Sequence, residues 1–412
     1  MSDEPVYTHV ATEETLRKIL TLVEADVGHS ASTVDDWSEV SNLVKSGLAP
    51  EVFPVGSILH TKWVDTRTGN TTEWDYLLRV VSHENIDTRD DTDVPAMTLQ
   101  TVYALPFATQ FDAYEAFYAV PAGGLEAGTY HVSFEGAIGK IEAGELDWEF
   151  TLTQDLSEGA QLCFSASIYS AKPTNVVSYA SASATTATET VSCTAGDDGT
   201  SLGTIATTIA NFDPTGNLNI AGRIGYGNNR WAHSGLRQHL NKDGAASAWW
   251  APANKWDRPP TYLSTTTGHL AGFSEDFVSH LAERKVVTAL PYCDGGTSGG
   301  TEADTTYDKV FLPAMEQLYW ANTGYGVPDG LEGDPWPYWR EANGSENKAS
   351  MGSTHTEYCL CSYDAKTTRR NVFERSAYRS NTGSVTCCGA SGFLSTSSAN
   401  SGNYAAPAYS II

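Results

Sequence analysis

Few residues in this chain have the types and spacing that catalysis or metal binding requires. Asp276 and His280 stand four apart, which on a helix places a carboxylate and an imidazole on one face, where they could bind a metal or pair charges. A lone pair of this kind reads as a solvated helix face. Cys359, Cys361, Cys387 and Cys388 suggest thiolate ligands, but zinc clusters use CxxC-type spacing in both halves and this set has it in neither. With Cys163, Cys193 and Cys293 they make seven, an odd and scattered set. That favours reduced thiols packed as small apolar groups over a disulfide framework. HExxH, GxSxG, a Walker loop and a dinucleotide glycine fingerprint are absent, and Gly225-Tyr226-Gly227 and Gly295-Gly296 read as turn glycines. The expectation is a protein with no catalytic residues, no metal and no cofactor.

The strongest chemical character lies at the end, in residues 371–412. Ser, Thr, Asn, Gly, Tyr and Cys dominate it, and bulky apolar side chains are confined to Val385, Phe393, Leu394, Ile411 and Ile412 from Ser376 onward. Small hydroxyls and amides with Tyr and Arg anchors are the chemistry of an adaptable binding face, as in an antibody paratope.

Such a face needs elements to hold it. Residues 12–47 predict two helices. The first has acids in its opening turn and Leu16, Ile19, Leu20 and Val23 at helical spacing; the second is capped by Asp35 or Asp36, carries Trp37, Val40, Leu43 and Val44, and stops at Gly47. This pair either oligomerises or anchors the chain, or packs on its own domain. Strands follow over 56–64, 73–82 and 95–105, with a hairpin turn at 65–70. Residues 111–208 predict a separate β module, a small sandwich, with strands at 116–120, 128–134, 146–152 and 161–170. Short helices are expected at 231–240, at 273–281 with Ser274 as cap, and at 313–319. Residues 329–340 read as a rigid aromatic, Pro-rich loop. The class is α+β.

Three blocks carry a family resemblance. One is the tail, with Arg375-Ser376, Val385 to Gly389, and Ala406-Pro407-Ala408. The others are GNNRWAHSGLRQHLN from Gly227, continued by WWAPANKWDRPP from Trp249, and DKVFLPAMEQLY from Asp308. In this order they resemble the variable proteins of diversity-generating retroelements, which share a C-type-lectin-like fold with many phage and bacterial domains. The pattern departs just before Arg375, where many members have Trp and this chain has Val372-Phe373-Glu374. In such retroelements adenine changes, often in AAC codons, never produce Lys, Glu, Gln, Met or Trp. None of these occurs from Ser376 to the end.

The resemblance implies a C-type-lectin-like domain with an inserted or preceding small β-sandwich and an N-terminal helical segment. Its divisions would be residues 1–50 for the helical anchor, 51–110 for the first lectin-like strands, 111–210 for the module, and 211–412 for the rest, with a variable region at 375–412. A strand from Trp74 would join the sheet that ends in the Pro-Ala motif. The function implied is a phage receptor-binding, tropism-determining protein, not an enzyme. Tyr378, Arg379, Phe393 and Tyr404 would be anchors, with Ser380, Asn381, Thr382, Ser384, Thr386, Cys388, Ser391, Ser395, Ser398, Asn400, Ser401 and Asn403 as adaptable contacts. Val385, Pro407 and Ile411 read as scaffold. Partners would be a host-surface receptor, protein or glycan, and other virion proteins through the N-terminal region, with a homotrimer supplying avidity. The alternative is a structural virion protein of the same fold, a head fibre or decoration protein. Formylglycine-generating enzymes share the fold and use a cysteine pair, but adjacent Cys387-Cys388 suit two independent thiolate ligands poorly. The calcium loops of true C-type lectins are missing.

With 412 residues the chain has room for two or three domains, and 41% hydrophobic content indicates a packed protein. A formal charge of −25 disfavours nucleic acid and anionic membrane as partners. The N-terminus has no basic segment leading into an apolar stretch, so the expectation is synthesis in a host cytoplasm without a signal peptide and a place in the virion.

Overall fold

The computed structural model describes residues 32–34, 36–113, 117–135, 147–158, 160–167, 170–179, 187–206, 226–253, 257–321, 324–344, 346–349, 360–381 and 383–412. The first of the two expected N-terminal helices lies outside them.

Strand β1 (Ser32–Thr33) precedes helix α1 (Trp37–Lys45). Asp36 caps α1 by accepting the Ser38 amide, and Gly47, with φ +75°, lies just beyond its last turn. Trp37, Val40 and Val44 share one face and are buried in the main core, where the Trp37 ring meets Phe277 at 4.7 Å between centroids. This helix therefore packs on its own domain. A single turn, α2 (Ala49–Val52), leads to β2 (Ile58–Val64), β3 (Glu73–Ile86) and β4 (Val94–Thr101), an antiparallel run. The β2–β3 turn is closed by the Asp65 carboxylate, which accepts from Arg67 and Asn70, while Gly69 takes the left-handed conformation at φ +77°.

Seven strands then form a second sheet: β5 (Phe117–Ala119), β6 (Gly128–Glu135), β7 (Asp147–Leu152), β8 (Gln161–Ser167), β9 (Ser170–Tyr179), β10 (Ala187–Ala195) and β11 (Thr200–Ala206). Their order is β11-β6-β7-β10-β9-β8-β5. The expected sandwich would be two separate sheets; here the two halves of β10 pair with different neighbours, β9 and then β7, and link all seven strands. Tyr130, Val132, Trp148, Phe150, Leu152 and Leu162 alternate inward and give this sheet a core of its own.

The chain re-enters the main body beside the point where it left. The carbonyl oxygens of Asp112 and Ala113 lie 2.8 and 2.7 Å from where a side chain on Gly227 would begin. The remaining elements are α3 (Gly235–Leu240), α4 (Glu275–Ser279), β12 (Arg284–Ala289), β13 (Ala303–Asp308), β14 (Val310–Phe311), α5 (Pro337–Asn343), β15 (Cys361–Ser362), β16 (Ala365–Arg369), β17 (Val372–Ala377), β18 (Ser384–Cys388), β19 (Leu394–Ser398), β20 (Tyr404–Ala405) and β21 (Ala408–Ile411). Ser234 and Ser274 cap α3 and α4. The last strand, β21, inserts between β4 and β14, so the main sheet reads β1-β2-β3-β4-β21-β14. Tyr409 of β21 is fully buried there, its hydroxyl shared with Tyr76 at 2.9 Å and His269 at 2.8 Å. The whole is an α+β protein, mostly strands in several small sheets with few short helices. No described helix is long and apolar enough to cross a membrane.

Two local expectations fail. Residues 315–319 are a series of turns, because the closing amides reach back three and five residues, Tyr319 to the Glu316 carbonyl and Trp320 to the Met315 carbonyl, instead of four. Conversely, the Pro-rich 329–340 loop gives way at Pro337 to α5, which accepts proline in its first turn.

Candidate functional site

The tail forms a four-stranded sheet, β19-β18-β17-β20, instead of one long loop. Every residue of β17 is buried. Arg375 in its middle donates to the carbonyls of Leu312 and Glu332 and to Gln317 Oε1, at 2.6 Å for the last. Burial lowers its pKa to about 10. Ser376 Oγ donates to the Glu332 carboxylate, whose other oxygen accepts the Ala289 amide at 2.9 Å. The Arg-Ser pair that opens the tail thus holds β17 against the turns at 312–317 and the segment before α5.

Beyond β17 the chain turns through residues 378–383, and this turn is held from beneath. The Tyr378 amide reaches the Ser384 carbonyl at 3.0 Å. Asn229, fully buried, points its amide nitrogen at the carbonyls of Tyr378, Asn381 and Ser384, at 3.3, 2.8 and 2.9 Å. Arg379 is 0% exposed. Its guanidinium donates to the carbonyls of Leu290, Gly300 and Gly326 at 2.7, 2.9 and 2.8 Å and touches Glu302 at 3.3 Å. It lies over the Tyr292 ring at 5.4 Å. Backbone and Thr297 hydrogen bonds, with Arg379, hold Glu302 below the usual carboxylate range. The turn is therefore tied to the loops at 290–302 and 324–328, and the Tyr378 ring meets Tyr325 edge-on at 5.0 Å.

The other tail turns are built similarly. At 389–393 the Gly389 amide donates to the Phe393 carbonyl, Gly392 supplies φ +78°, and the Phe393 ring lies over Gly389 with 37% of the residue exposed. At 399–403 Asn400 donates its amide to the Tyr226 carbonyl, and Asn403 exchanges backbone hydrogen bonds with Thr109.

These positions divide the expected binding residues. Ser391 and Phe393 are exposed, and Tyr378, Ser380, Asn381, Ser384, Ser395, Ser398, Asn400, Ser401 and Tyr404 are half-buried at the rim, Tyr404 with the Arg370 guanidinium 4.6 Å over its ring. Thr382 lies outside the described residues. Four are corrected to scaffold: Arg379, for the contacts above; Thr386, whose hydroxyl donates to the Ser376 carbonyl at 2.9 Å; Asn403, which donates to Ser397 Oγ at 2.7 Å; and Cys388, packed in the main core opposite Val372. Burial pushes the Cys387 thiol up to about 12, so it is no ready thiolate. Among the described residues no group of three or more His, Cys, Asp or Glu is arranged to hold a metal. Asp276 and His280 do meet, at 3.5 Å, but the Asp276 carboxylate accepts the Trp37 amide at 2.8 Å and so fixes the start of α1.

Asn229 and Tyr292 had no assigned role in the sequence. Asn229 belongs to the GNNRW block, whose pattern marks it without saying what it grips; nothing in the sequence singles out Tyr292.

Residues 207–410 match a family described as a domain of unknown function, DUF6273. Neither the curated proteins nor the solved structures contain a match to the chain. The family segment includes Asn229, the Arg375-Ser376 pair and all but the end of β21, yet leaves out β2, β3 and β4, with which β21 completes one sheet.

Proposed function

We propose that this chain is a phage receptor-binding, tropism-determining protein whose C-type-lectin-like domain presents a diversified tail to a host-surface ligand. The observation that carries this reading is the 378–383 turn. Its backbone is gripped from below by Asn229, and Arg379 within it is anchored inward to the loops at Leu290, Gly300 and Gly326, while Tyr378, Ser380 and Asn381 reach the rim. A backbone fixed by groups outside the variable tips lets those tips change without loss of fold. The pairing of the last strand with the first ones, through β4, also suits the lectin-like arrangement, in which a strand beginning at Trp74 shares a sheet with the strand after the Pro-Ala motif. Several copies on a particle, as a homotrimer, would turn weak contacts into useful avidity.

The second reading, a fixed head-fibre or decoration protein of the same fold, is favoured by the burial of Arg379, Thr386, Cys388 and Asn403, which narrows the variable surface. The DNA flanking the gene separates the two. A near-copy of the codons for residues 375–412 that differs almost only at adenines, beside a reverse transcriptase gene, is expected for a diversified binder. Its absence would favour the fixed protein. At the protein level, Tyr378→Ala and Tyr404→Ala should lower adsorption to host cells at least tenfold with unchanged circular dichroism; unchanged adsorption would reject the proposed face.

A further inference from the structure

Glu374 stands out among the described buried carboxylates. It sits in β17 between Phe373 and Arg375, is 1% exposed, and neither carboxylate oxygen has a hydrogen-bond partner. A buried carboxylate without donors is among the costliest groups a fold can hold. The cavity it lines, with Gln100, Leu318, Trp339 and Cys388, has about 10 Å³ of free space, room for one water at most and for no organic cation.

The surrounding charges do not rescue an anion. Arg375, the adjacent cation, is engaged by Leu312, Gln317 and Glu332. Glu332 faces the same guanidinium and holds the donors that Glu374 lacks, from Ala289 and Ser376. One buried cation between two carboxyls favours ionising the one with donors. Further out, Asp308 accepts from Trp231, Arg237 and Thr306, and Arg284 pairs with Glu84. On β18, Thr386 gives its hydroxyl hydrogen to Ser376, and Cys387 and Cys388 are thiols; Tyr325 closes the remaining side as a phenol.

We infer that Glu374 is a protonated lock, a neutral carboxyl whose ionisation loosens the β17–β18 hairpin that carries the 378–383 turn. Burial, reinforced by the Glu332 carboxyl, raises its pKa to about 8; the Thr386 hydroxyl lies near enough to ease this in part, but its hydrogen is committed to the Ser376 carbonyl. The folded state then keeps a proton that the unfolded chain releases near the ordinary carboxyl value, so the stability this proton contributes falls as pH rises above that value and is gone once pH passes about 8. A consequence for ligand capture, weaker binding in mildly alkaline medium, rests on the function proposed above; the lock itself does not.

The test compares the full chain with Glu374→Gln between pH 6.5 and 9, where the buried His239 and His269, both depressed by burial, are already neutral. Wild type should lose a few degrees of Tm more than the variant across this range. Hydrogen-exchange protection of residues 372–388, corrected for intrinsic rates, should drop in wild type alone. Should the variant fail to fold, the carboxyl ¹³C shift of Glu374 in wild type decides: a midpoint well above 6 supports the lock. Parallel Tm profiles, or a midpoint near the usual carboxylate value, would overturn it. Loss of host-cell adsorption at pH 9 in wild type but not in the variant would extend the lock to binding. pH-independent adsorption alongside a pH-dependent Tm would confine it to stability.

Discussion

Tyr378 and Arg379 are neighbours with opposite duties. Both are residue types that dominate binding hot spots, and by type alone both belong on the face. The strand leaving β17 turns one ring to the rim and drives the other side chain inward, where three carbonyls wait. Arg379→Ala leaves those carbonyls without donors, and we expect a loss of roughly 3 kcal/mol in denaturant unfolding. Tyr378→Ala should cost well under half as much. Arg379→Lys should rescue little, because an ammonium cannot span carbonyls from three loops at once. The same distinction applies to the cysteines. Cys387 and Cys388 are chemically eligible as reactive groups, but packing against Phe373 and Val372 makes them core residues.

At the scale of elements, local chemistry was legible and its tertiary use was not. The caps at Asp36 and Ser274 and the hairpin at Asp65 are written in short polar side chains acting on nearby amides, so the sequence displays them, whereas Ser234, expected inside a helix from Trp231, caps one that starts at Gly235. The turns at 315–319 and the helix from Pro337 meet across the fold, the Trp336 amide donating to the Gln317 carbonyl, a contact that no local pattern announces. Helix α1 shows the consequence for function. An amphipathic helix near the start suits an anchor, yet Trp37 fills the space beside Phe277 and its amide is held by Asp276. Trp37→Ala should destabilise the main body by about 3–5 kcal/mol in urea unfolding. A change below ~1 kcal/mol would mean that α1 is free to serve a partner.

For the whole molecule the central question is which pieces fold as one. The seven-stranded sheet has its own core, and Asp112, Ala113 and Gly227 meet where the chain leaves and re-enters the main body. Replacing residues 114–225 by a short Gly-Ser linker should leave a cooperatively folding main body, checked by a single thermal transition and retained near-ultraviolet circular dichroism. The complementary cut, to the 207–410 family segment alone, should not fold, because it removes β2, β3 and β4 and strips β21 of a neighbour. By itself the sequence determined the α+β class, the strands from Ile58 to Thr101, the capped helices and the tail as a separate chemical region, since each follows from periodicity, composition or contacts within a few residues. Which tail side chains face outward was decided only by the tertiary structure. That choice belongs to groups 53 to 152 residues away, with Gly326 and Leu290 drawing Arg379 inward and Asn229 fixing the turn around it.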